Sequence, residues 1–271
     1  MDVSELRYEG APERLDRALA AAAGLSRGAA RRLIGAGAVY LNGCCCQVAS
    51  RLVRRGDRLA VGAAAAAAAA TPAVPILFEG AGMIVIDKPV GMPTAPTRQG
   101  AAGTALTELT AQLHRRDGRR TRLWVVHRLD AATSGVLAFA TTPAAAAALS
   151  EAFRLRAVRK RYLAVVTGTP VAAAGVVDQA LRTVAGRARV DGAGRPARTA
   201  WRVRERRGAE TLLEVEPESG RLHQIRAHLA AIGHPIVGDR LYGGAPAARL
   251  MLQAVALTVL GRTVALTTTT L

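Results

Sequence analysis

The chain has 271 residues, of which 50% are hydrophobic and 3% are aromatic. This length fits one large domain or a small domain joined to a medium one, and the apolar fraction excludes disorder throughout the chain. The formal charge of +17 favours a polyanionic partner, because cationic side chains release counterions from phosphates. The low aromatic content argues against an open single-strand binder that depends on base stacking.

Arginine carries almost all of the positive charge, because Lys88 and Lys160 are the only lysines among 37 basic residues. The planar guanidinium binds two phosphate oxygens at once, which suits a nucleic acid. A membrane surface is a weaker candidate, since no basic amphipathic helix stands out. The first ten residues contain three acids and no apolar core, and no apolar run reaches the ~18 residues that a membrane span needs. The sequence therefore predicts a cytoplasmic protein.

The three cysteines are adjacent, at Cys44, Cys45 and Cys46. This spacing matches neither a zinc site nor a disulfide framework, so no metal site is predicted. We expect these side chains to fill a strand or a turn.

Residues 12–62 predict a compact unit of two helices and a hairpin. The first helix has one apolar face with helical spacing, formed by Leu15, Ala18, Leu19 and Ala22. Ser26 is suited to cap the second helix, whose outward face carries three basic side chains, Arg27, Arg31 and Arg32. Asn42-Gly43 indicates a tight hairpin turn, and a strand is predicted at 58–61.

This first unit holds nine arginines against three acidic residues. The order of its elements resembles the alpha-L RNA-binding domain, first known from a small-subunit ribosomal protein. The stretches that carry the resemblance are RLDRALAAAAGLSRGAARRLIGAGAVYLNG and VRRGDRLAVG. It implies that Arg27, Arg31 and Arg32 contact RNA. The cysteine trio departs from the polar or basic residues that usually follow the Asn-Gly turn.

An alanine-rich segment, 63–73, predicts a linker, and the pattern after it changes to strands interspersed with a few helices. Strands that neighbour strands favour an α+β domain over a regular βαβ series. We therefore predict a catalytic domain at 74–271, built on a mixed, mainly antiparallel sheet with flanking helices and a central cleft.

Two polar constellations in this domain are candidates for chemistry. The first is HRLDAATSG, in which Asp130 lies in a polar loop between two apolar strands, where catalytic and turn-capping carboxylates both occur. The second is GRLHQIRAHL, whose polar residues Arg221, His223 and Gln224 crowd the start of a helix predicted from Leu222. A helix start favours anions, so these three residues are predicted to bind RNA. Arg226 follows at the edge of the buried face and is placed to reach into a cleft. An edge arginine facing water is the alternative.

Together these motifs resemble the RluA-type family of RNA pseudouridine synthases, over residues from about 84 to about 254. The most specific stretches are HRLDAATSG and GRLHQIRAHLAAIGHPIVGDRLYGG, and KRYLAV and IDKPVGMPTAP support them. An alpha-L domain before the catalytic domain is a known arrangement in that family. The resemblance implies an isomerase that converts uridine to pseudouridine within RNA.

The resemblance also implies roles for individual residues. Asp130 matches the catalytic aspartate, Tyr162 matches the tyrosine that packs against the target base, and Arg226 matches the arginine that pairs with the aspartate. Arg128 matches an arginine implicated in opening the RNA around the flipped base. Two departures are Leu222, where many members have threonine or serine, and Ala95, where many have histidine.

The reaction breaks the N1–C1′ bond, turns the uracil and joins C5 to C1′, so it needs no cofactor. A carboxylate stabilises the positive character that develops on the sugar, and it could either attack C1′ or take a proton from C2′. A neighbouring arginine would keep that carboxylate ionised. The target base must leave its stack, and Tyr162 is the candidate wall that receives it.

Other classes of protein fit less well. A non-catalytic RNA-binding protein would explain the charge and the first unit, but not the joint match of Asp130, Tyr162 and Arg226. A glycosidase would need a second carboxylate, and a zinc deaminase would need motifs that the sequence lacks. We expect a monomer that acts on RNA, most plausibly large-subunit ribosomal RNA on family analogy, with tRNA as the alternative substrate.

Overall fold

The computed structural model describes residues 3–35, 37–62, 73–96, 103–118 and 121–271. The chain divides into two compact units, one of residues 1–74 with 93–121 and one of residues 75–92 with 122–271. The domain boundaries predicted from the sequence stay a prediction. Residues 93–121, which the sequence analysis included in the catalytic domain, group with the first unit. The predicted linker, apart from residue 73, lies outside the described residues.

The first unit contains three helices and two small antiparallel sheets within its described residues. The helices are α1 (Leu15–Ala22), α2 (Arg27–Gly35) and α3 (Ala105–Asp117). The strands are β1 (Val3–Arg7), β2 (Glu13–Arg14), β3 (Val39–Leu41), β4 (Cys44–Cys45), β5 (Leu52–Val53) and β6 (Arg58–Val61). The larger sheet has the order β1-β6-β3-β4, and β2 pairs with β5.

The predicted helical face of α1 packs into the core of this unit, except that Ala22 is exposed. Ser26 caps α2 as predicted, because its Oγ accepts a hydrogen bond from the backbone N–H of Ala29 at 3.2 Å. Asn42 and Gly43 both have positive φ, at 53° and 78°, which is the conformation of the tight hairpin turn that the sequence predicted. Cys46 is buried in the same core.

The second unit is built on a ten-stranded sheet. Its strands are β7 (Ile76–Gly80), β8 (Met83–Lys88), β9 (Trp124–Val125), β10 (Ser134–Ala140), β11 (Arg159–Thr167), β12 (Ala174–Asp178), β15 (Arg198–Arg207), β16 (Glu210–Pro217), β17 (Leu252–Val259) and β18 (Arg262–Ala265). A separate hairpin comprises β13 (Leu181–Val184) and β14 (Arg187–Val190). The helices are α4 (Pro143–Arg154) and α5 (Gln224–Ala231).

The strand order is β12-β15-β16-β11-β17-β10-β8-β7, with β18 beside β17 and β9 beside β10. The pairing is antiparallel throughout this described sheet except between β10 and β17, which are parallel over two residue pairs. The fold is therefore α+β with a mixed, mainly antiparallel sheet, as the sequence predicted.

Gly135 lies at the parallel junction, where the two backbones approach closely. It has φ +111°, and a Cβ built on it would lie 2.0 Å from the carbonyl oxygen of Ala254. Only glycine fits this contact, because any side chain would push β10 away from β17. The glycine that ends HRLDAATSG thus fixes the strand that directly follows the Asp130 loop.

The predicted start of α5 was wrong, because the helix begins at Gln224 and not at Leu222. His223 adopts a left-handed conformation with φ 50°, so the residues before it cannot belong to the helix. The helix ends as predicted before Gly233, whose φ is 81°.

Candidate active site

Asp130 lies at the wall of a cavity of about 710 Å³ in the second unit. The loop between β9 and β10 supplies this carboxylate, and its side chain is 28% exposed. Tyr162 from β11 and Arg226 from α5 line the same cavity, together with Arg128 and His223. The fold thus brings together the three residues that the sequence singled out for chemistry.

Arg226 lies between two carboxylates. Its NH1 is 3.6 Å from Oδ2 of Asp130, while its Nε and NH2 donate to Oδ2 and Oδ1 of Asp239 at 2.7 and 2.8 Å. The side chain is 5% exposed, and burial alone would lower the pKa of Arg226, but Asp239 and Asp130 outweigh burial and raise it. The guanidinium therefore stays charged beside Asp130.

Asp239 was predicted only as part of a tight loop, yet it holds the arginine of the site. It is 1% exposed, and its Oδ1 also accepts the backbone N–H groups of Leu241 and Tyr242 at 3.0 and 3.3 Å. Because its oxygens are occupied in this way, Asp239 does not act as a second free acid opposite Asp130. The other carboxylate that lines the cavity, that of Glu218, is exposed and pairs with Arg198 at 2.7 Å.

Tyr162 is buried, with 9% of its surface exposed. It follows a register shift in the pairing of β11 with β17, where Arg161 faces Ala256 but Tyr162 faces Ala254. Such a bulge re-aims a side chain relative to its neighbours. Burial and the charge of Asp130 raise the pKa of the Tyr162 phenol, so the hydroxyl is neutral throughout the physiological range.

His223 is the second neighbour of Asp130, with its Nε2 3.8 Å from Oδ2 of the aspartate. Its Nδ1 lies 3.1 Å from the hydroxyl of Tyr242, whose ring also packs under the guanidinium of Arg226 at 5.2 Å. Burial lowers the pKa of His223 in spite of the acidic neighbour. The imidazole is therefore mostly neutral at neutral pH.

One buried lysine, one partly buried lysine and one partly buried histidine support the loops around the cavity. Lys88 is fully buried, and its Nζ donates to the carbonyl oxygens of Pro89, Met92 and Ala131, the last of which follows Asp130. Burial lowers the pKa of Lys88 to about 8. The motif that contains Lys88, IDKPVGMPTAP, only supported the family resemblance in the sequence analysis, and no role was predicted for this lysine.

Lys160 lines the cavity and donates from Nζ to the carbonyl oxygen of Ser219 at 2.7 Å. Burial, with a contribution from Arg156, lowers its pKa to about 8. His127 accepts the backbone N–H of Ala138 at Nε2, at 2.9 Å, and burial lowers its pKa to about 3. This histidine is therefore neutral and structural.

The residues predicted to contact RNA in this unit differ in their surroundings. Arg128 is exposed at the rim of the cavity. Arg221 is partly buried, and its Nε donates to the carbonyl oxygen of Pro196 at 3.4 Å. Gln224 is 4% exposed, and its amide makes four hydrogen bonds within the protein. The geometry therefore favours a structural role for Gln224 over the direct RNA contact that the sequence suggested.

Three arginines of the first unit surround the buried carboxylate of Asp16. Asp16 is fully buried and accepts hydrogen bonds from Nε of Arg14, Arg27 and Arg31 at 3.1, 3.1 and 2.7 Å. The hydrogen bond from Arg14 is the largest of the effects that hold the pKa of Asp16 well below its usual range. Arg27 and Arg31 nevertheless keep about half of their side chains exposed, and Arg32 is exposed as predicted.

No group of three or more His, Cys, Asp or Glu side chains among the described residues is arranged to hold a metal ion. No helix of the described chain is long and apolar enough to cross a membrane. The site thus offers a carboxylate, a charged guanidinium, a neutral phenol and a neutral imidazole in one cavity.

Comparison with known proteins gives the class to which this fold and cavity belong. Residues 82–231 match the RNA pseudouridylate synthase family, and residues 13–59 match the S4 domain. A solved structure, that of human RNA pseudouridylate synthase domain containing 1, matches with a TM-score of 0.60 and 25% identity over 73% of this chain and 83% of that one. The chain belongs to the RNA pseudouridine synthase family, and it carries an S4 domain at its N-terminal side.

Curated relatives narrow this assignment to the RluA-type group. An uncharacterized RNA pseudouridine synthase of Mycobacterium bovis is 38% identical over 252 residues, which cover 86% of this chain and 79% of the relative. Ribosomal large subunit pseudouridine synthase D of Xylella fastidiosa is 44% identical over 185 residues, which cover 64% of this chain and 55% of that protein. The protein is thus an RNA pseudouridine synthase of the RluA type.

Proposed function

We propose that this enzyme isomerises uridine in large-subunit ribosomal RNA, with Asp130 as its catalytic carboxylate. The observation that carries the proposal is the position of Asp130 in one cavity with Arg226 and Tyr162. The choice of RNA rests on the relatives named as ribosomal large subunit pseudouridine synthase D, which are 42% to 44% identical over the part that matches. A ribosomal substrate also agrees with the cytoplasmic location predicted from the sequence.

In this proposal the flipped uridine enters the cavity with C1′ of its ribose next to Asp130. The carboxylate stabilises the positive charge that develops on the sugar as the N1–C1′ bond breaks. Two further roles remain open to it, attack on C1′ and removal of a proton from C2′. The charged guanidinium of Arg226, 3.6 Å away, places a positive charge beside Asp130 and holds its orientation.

The ring of Tyr162 would form the wall against which the free uracil turns. After C5 joins C1′, the proton on C5 must leave and N1 must gain one, so nothing is oxidised and no group is imported. The Tyr162 phenol is neutral, so it can take part by hydrogen bonding or by passing on a proton, but a phenolate base is disfavoured. Arg128 at the rim is the candidate that occupies the space left by the flipped base.

The proposal is tested by tritium release from RNA transcribed with 5-tritiated uridine, because the C5 hydrogen leaves only when the new bond forms there. Wild type should release tritium from unmodified large-subunit ribosomal RNA. Asp130→Asn should release none while it still binds the RNA. The matched control is Asp178→Asn, the same change at an exposed carboxylate on β12 outside the cavity.

Three outcomes would contradict the proposal in different ways. Release from tRNA but not from ribosomal RNA would replace the substrate and leave the chemistry intact. Full activity of Asp130→Asn would remove the catalytic role of this carboxylate. Loss of RNA binding together with turnover in Asp130→Asn would indicate a structural aspartate.

A further inference from the structure

The hairpin of β13 and β14 has two faces of opposite character. Its tight turn uses Ala185 and Gly186, with φ 49° and 76°. Leu181 and Ala188 are buried on the inner face, in a cluster that includes Ala227 of α5. The inner face thus fixes the hairpin to the helix that carries Arg226.

The outer face carries three arginines. Side chains alternate along a strand, so Arg187 and Arg189 share the face opposite to Ala188. Arg182 stands directly across from Arg189 in the register of the two strands. All three are exposed, and only Arg182 has an acidic partner among the described residues, Asp191 at 2.5 Å.

Like charges directly opposite each other in a strand pair destabilise the pair. The fold alone therefore does not favour Arg182 facing Arg189, whereas a bound anion between or beside them would relieve the repulsion. Some arginines of the ten-stranded sheet do have acidic partners, as Arg202 has in Glu214 across β15 and β16. The outer face of the hairpin is thus a cationic surface that the protein itself leaves largely unneutralised.

The hairpin is also linked to the cavity through Tyr242. The Tyr242 hydroxyl accepts the backbone N–H of Ala188 and donates to its carbonyl oxygen, both at 3.0 Å. The same hydroxyl lies 3.1 Å from Nδ1 of His223, whose other nitrogen faces Asp130. Burial lowers the pKa of His223, and the charge of Arg187 adds to this effect, so Arg187 lies close to the site.

We propose that Arg182, Arg187 and Arg189 on the outer face of this hairpin bind phosphates of the RNA chain that flanks the target uridine. This inference rests on the proposed function, because it takes the cavity beside the hairpin as the place where the uridine enters. Guanidinium groups suit phosphates, which they bind through two parallel hydrogen bonds. The hairpin therefore supplies position and affinity, and it leaves the chemistry to Asp130.

The test measures equilibrium binding of unmodified large-subunit ribosomal RNA transcript as a function of salt. The double variant Arg187→Gln/Arg189→Gln should bind about tenfold more weakly, and its plot of log affinity against log salt should be shallower by about 1.5, because two phosphate contacts are lost. Arg187→Lys/Arg189→Lys keeps the charges and should retain most of the salt dependence. Arg262→Gln is the matched control, since Arg262 is an exposed arginine on β18 that does not line this cavity.

Measurements of turnover distinguish a failure of this proposal from a failure of the proposed function. In the double glutamine variant the KM for tritium release should rise while kcat stays close to that of wild type, because only binding outside the reacting atoms is lost. Unchanged affinity and salt slope in that variant would overturn the role of the hairpin, whatever the activity. A wild type that binds the transcript but releases no tritium would overturn the proposed substrate and leave the binding comparison valid.

Discussion

Asp239 accepts two parallel hydrogen bonds of 2.7 and 2.8 Å from the guanidinium of Arg226. The NH1 of the same arginine lies 3.6 Å from Asp130. A guanidinium held on one edge by a buried carboxylate cannot turn away from its other neighbour. The charge beside Asp130 is thus fixed in direction by a residue that does not itself face the aspartate. Two backbone N–H groups of the same loop hold Asp239 in turn.

We therefore expect Asp239→Asn to lower kcat for tritium release by about tenfold to a hundredfold, since hydrogen bonds to a charged group are lost. KM should change much less, because Asp239 is not exposed to the RNA. Asp178→Asn, at an exposed carboxylate on β12 outside the cavity, is the comparison. A uniform loss of folded protein in place of a kinetic effect would indicate that Asp239 serves stability alone.

Tyr162 gives a prediction about pH. Because burial and Asp130 raise the pKa of its phenol, this group is neutral in the free enzyme well above neutral pH. Tyr162→Phe should therefore lower turnover without changing the shape of the pH profile between about pH 6 and about pH 9. Tritium release at a series of pH values checks this. An alkaline rise in the wild type that disappears in Tyr162→Phe would show that the phenolate is the active form.

Lys160 should make RNA affinity depend on pH. Its pKa is lowered to about 8, so the charged form dominates below that value and is lost as pH rises through it. The salt slope of RNA binding should become shallower by about 0.7 to 0.9 between about pH 7 and about pH 9, as one cation is lost from the cavity. Lys160→Arg should keep the slope constant over this range, because arginine stays charged. A wild-type slope that does not change would mean that Lys160 does not face phosphate.

The ionisation of Lys160 also makes the folding stability of the protein depend on pH. The pKa of Lys160 is lower in the folded chain than in the unfolded one, so the unfolded chain binds more protons between the two values. This group alone therefore makes the protein more stable as pH rises above about 8. Lys160→Met should remove that part of the pH dependence, which denaturant unfolding at several pH values would measure.

In the first unit, Arg31 and Arg32 are neighbours with different roles. Arg31 donates to buried Asp16 at 2.7 Å, whereas Arg32 is exposed and makes no ion pair among the described residues. Arg31→Gln should lower both the thermal midpoint of this unit and RNA affinity. Arg32→Gln should weaken RNA binding alone. Equal thermal midpoints for the two variants would contradict the structural role of Arg31.

Asp16 also gives this unit a sensitivity to acid. Its folded pKa lies well below the unfolded value, so the stability it provides is present above the unfolded pKa and is lost as pH falls further. Unfolding of Asp16→Asn should therefore depend less on pH than that of wild type below about pH 4. The sequence alone did not indicate this cluster, because its three arginines come from a strand and a helix other than the helix that carries Asp16.

The sequence predicted the joint presence of Asp130, Tyr162 and Arg226 through motifs, and the fold brings all three to one cavity. It also predicted the strand at 58–61 and the turn at Asn42-Gly43, because alternation and turn residues are local signals. It did not predict the second partner of Arg226, which is Asp239. That partner depends on how the loop after α5 returns to the helix, and the spacing between Arg226 and Asp239 does not encode this return.

For Gln224, the contact with RNA stays a prediction. A polar side chain at the start of a helix suggested a contact with RNA, but both ends of its amide bond to Ser219, Thr199 and two backbone groups. Whether a polar residue faces solvent or a buried network depends on the strands around it. Sequence position alone does not separate the two cases.

The parallel junction of β10 with β17 has a consequence for motion. Only two residue pairs join these strands, Ser134 with Gln253 and Gly135 with Ala254, so the sheet has a narrow seam between its two halves. Asp130 belongs to the loop that enters β10, while Tyr162 lies on β11 on the other side of the seam. If β10 slid slightly against β17, the distance between the Asp130 carboxylate and the Tyr162 phenol would change. The close contact of Gly135 with Ala254 opposes such sliding.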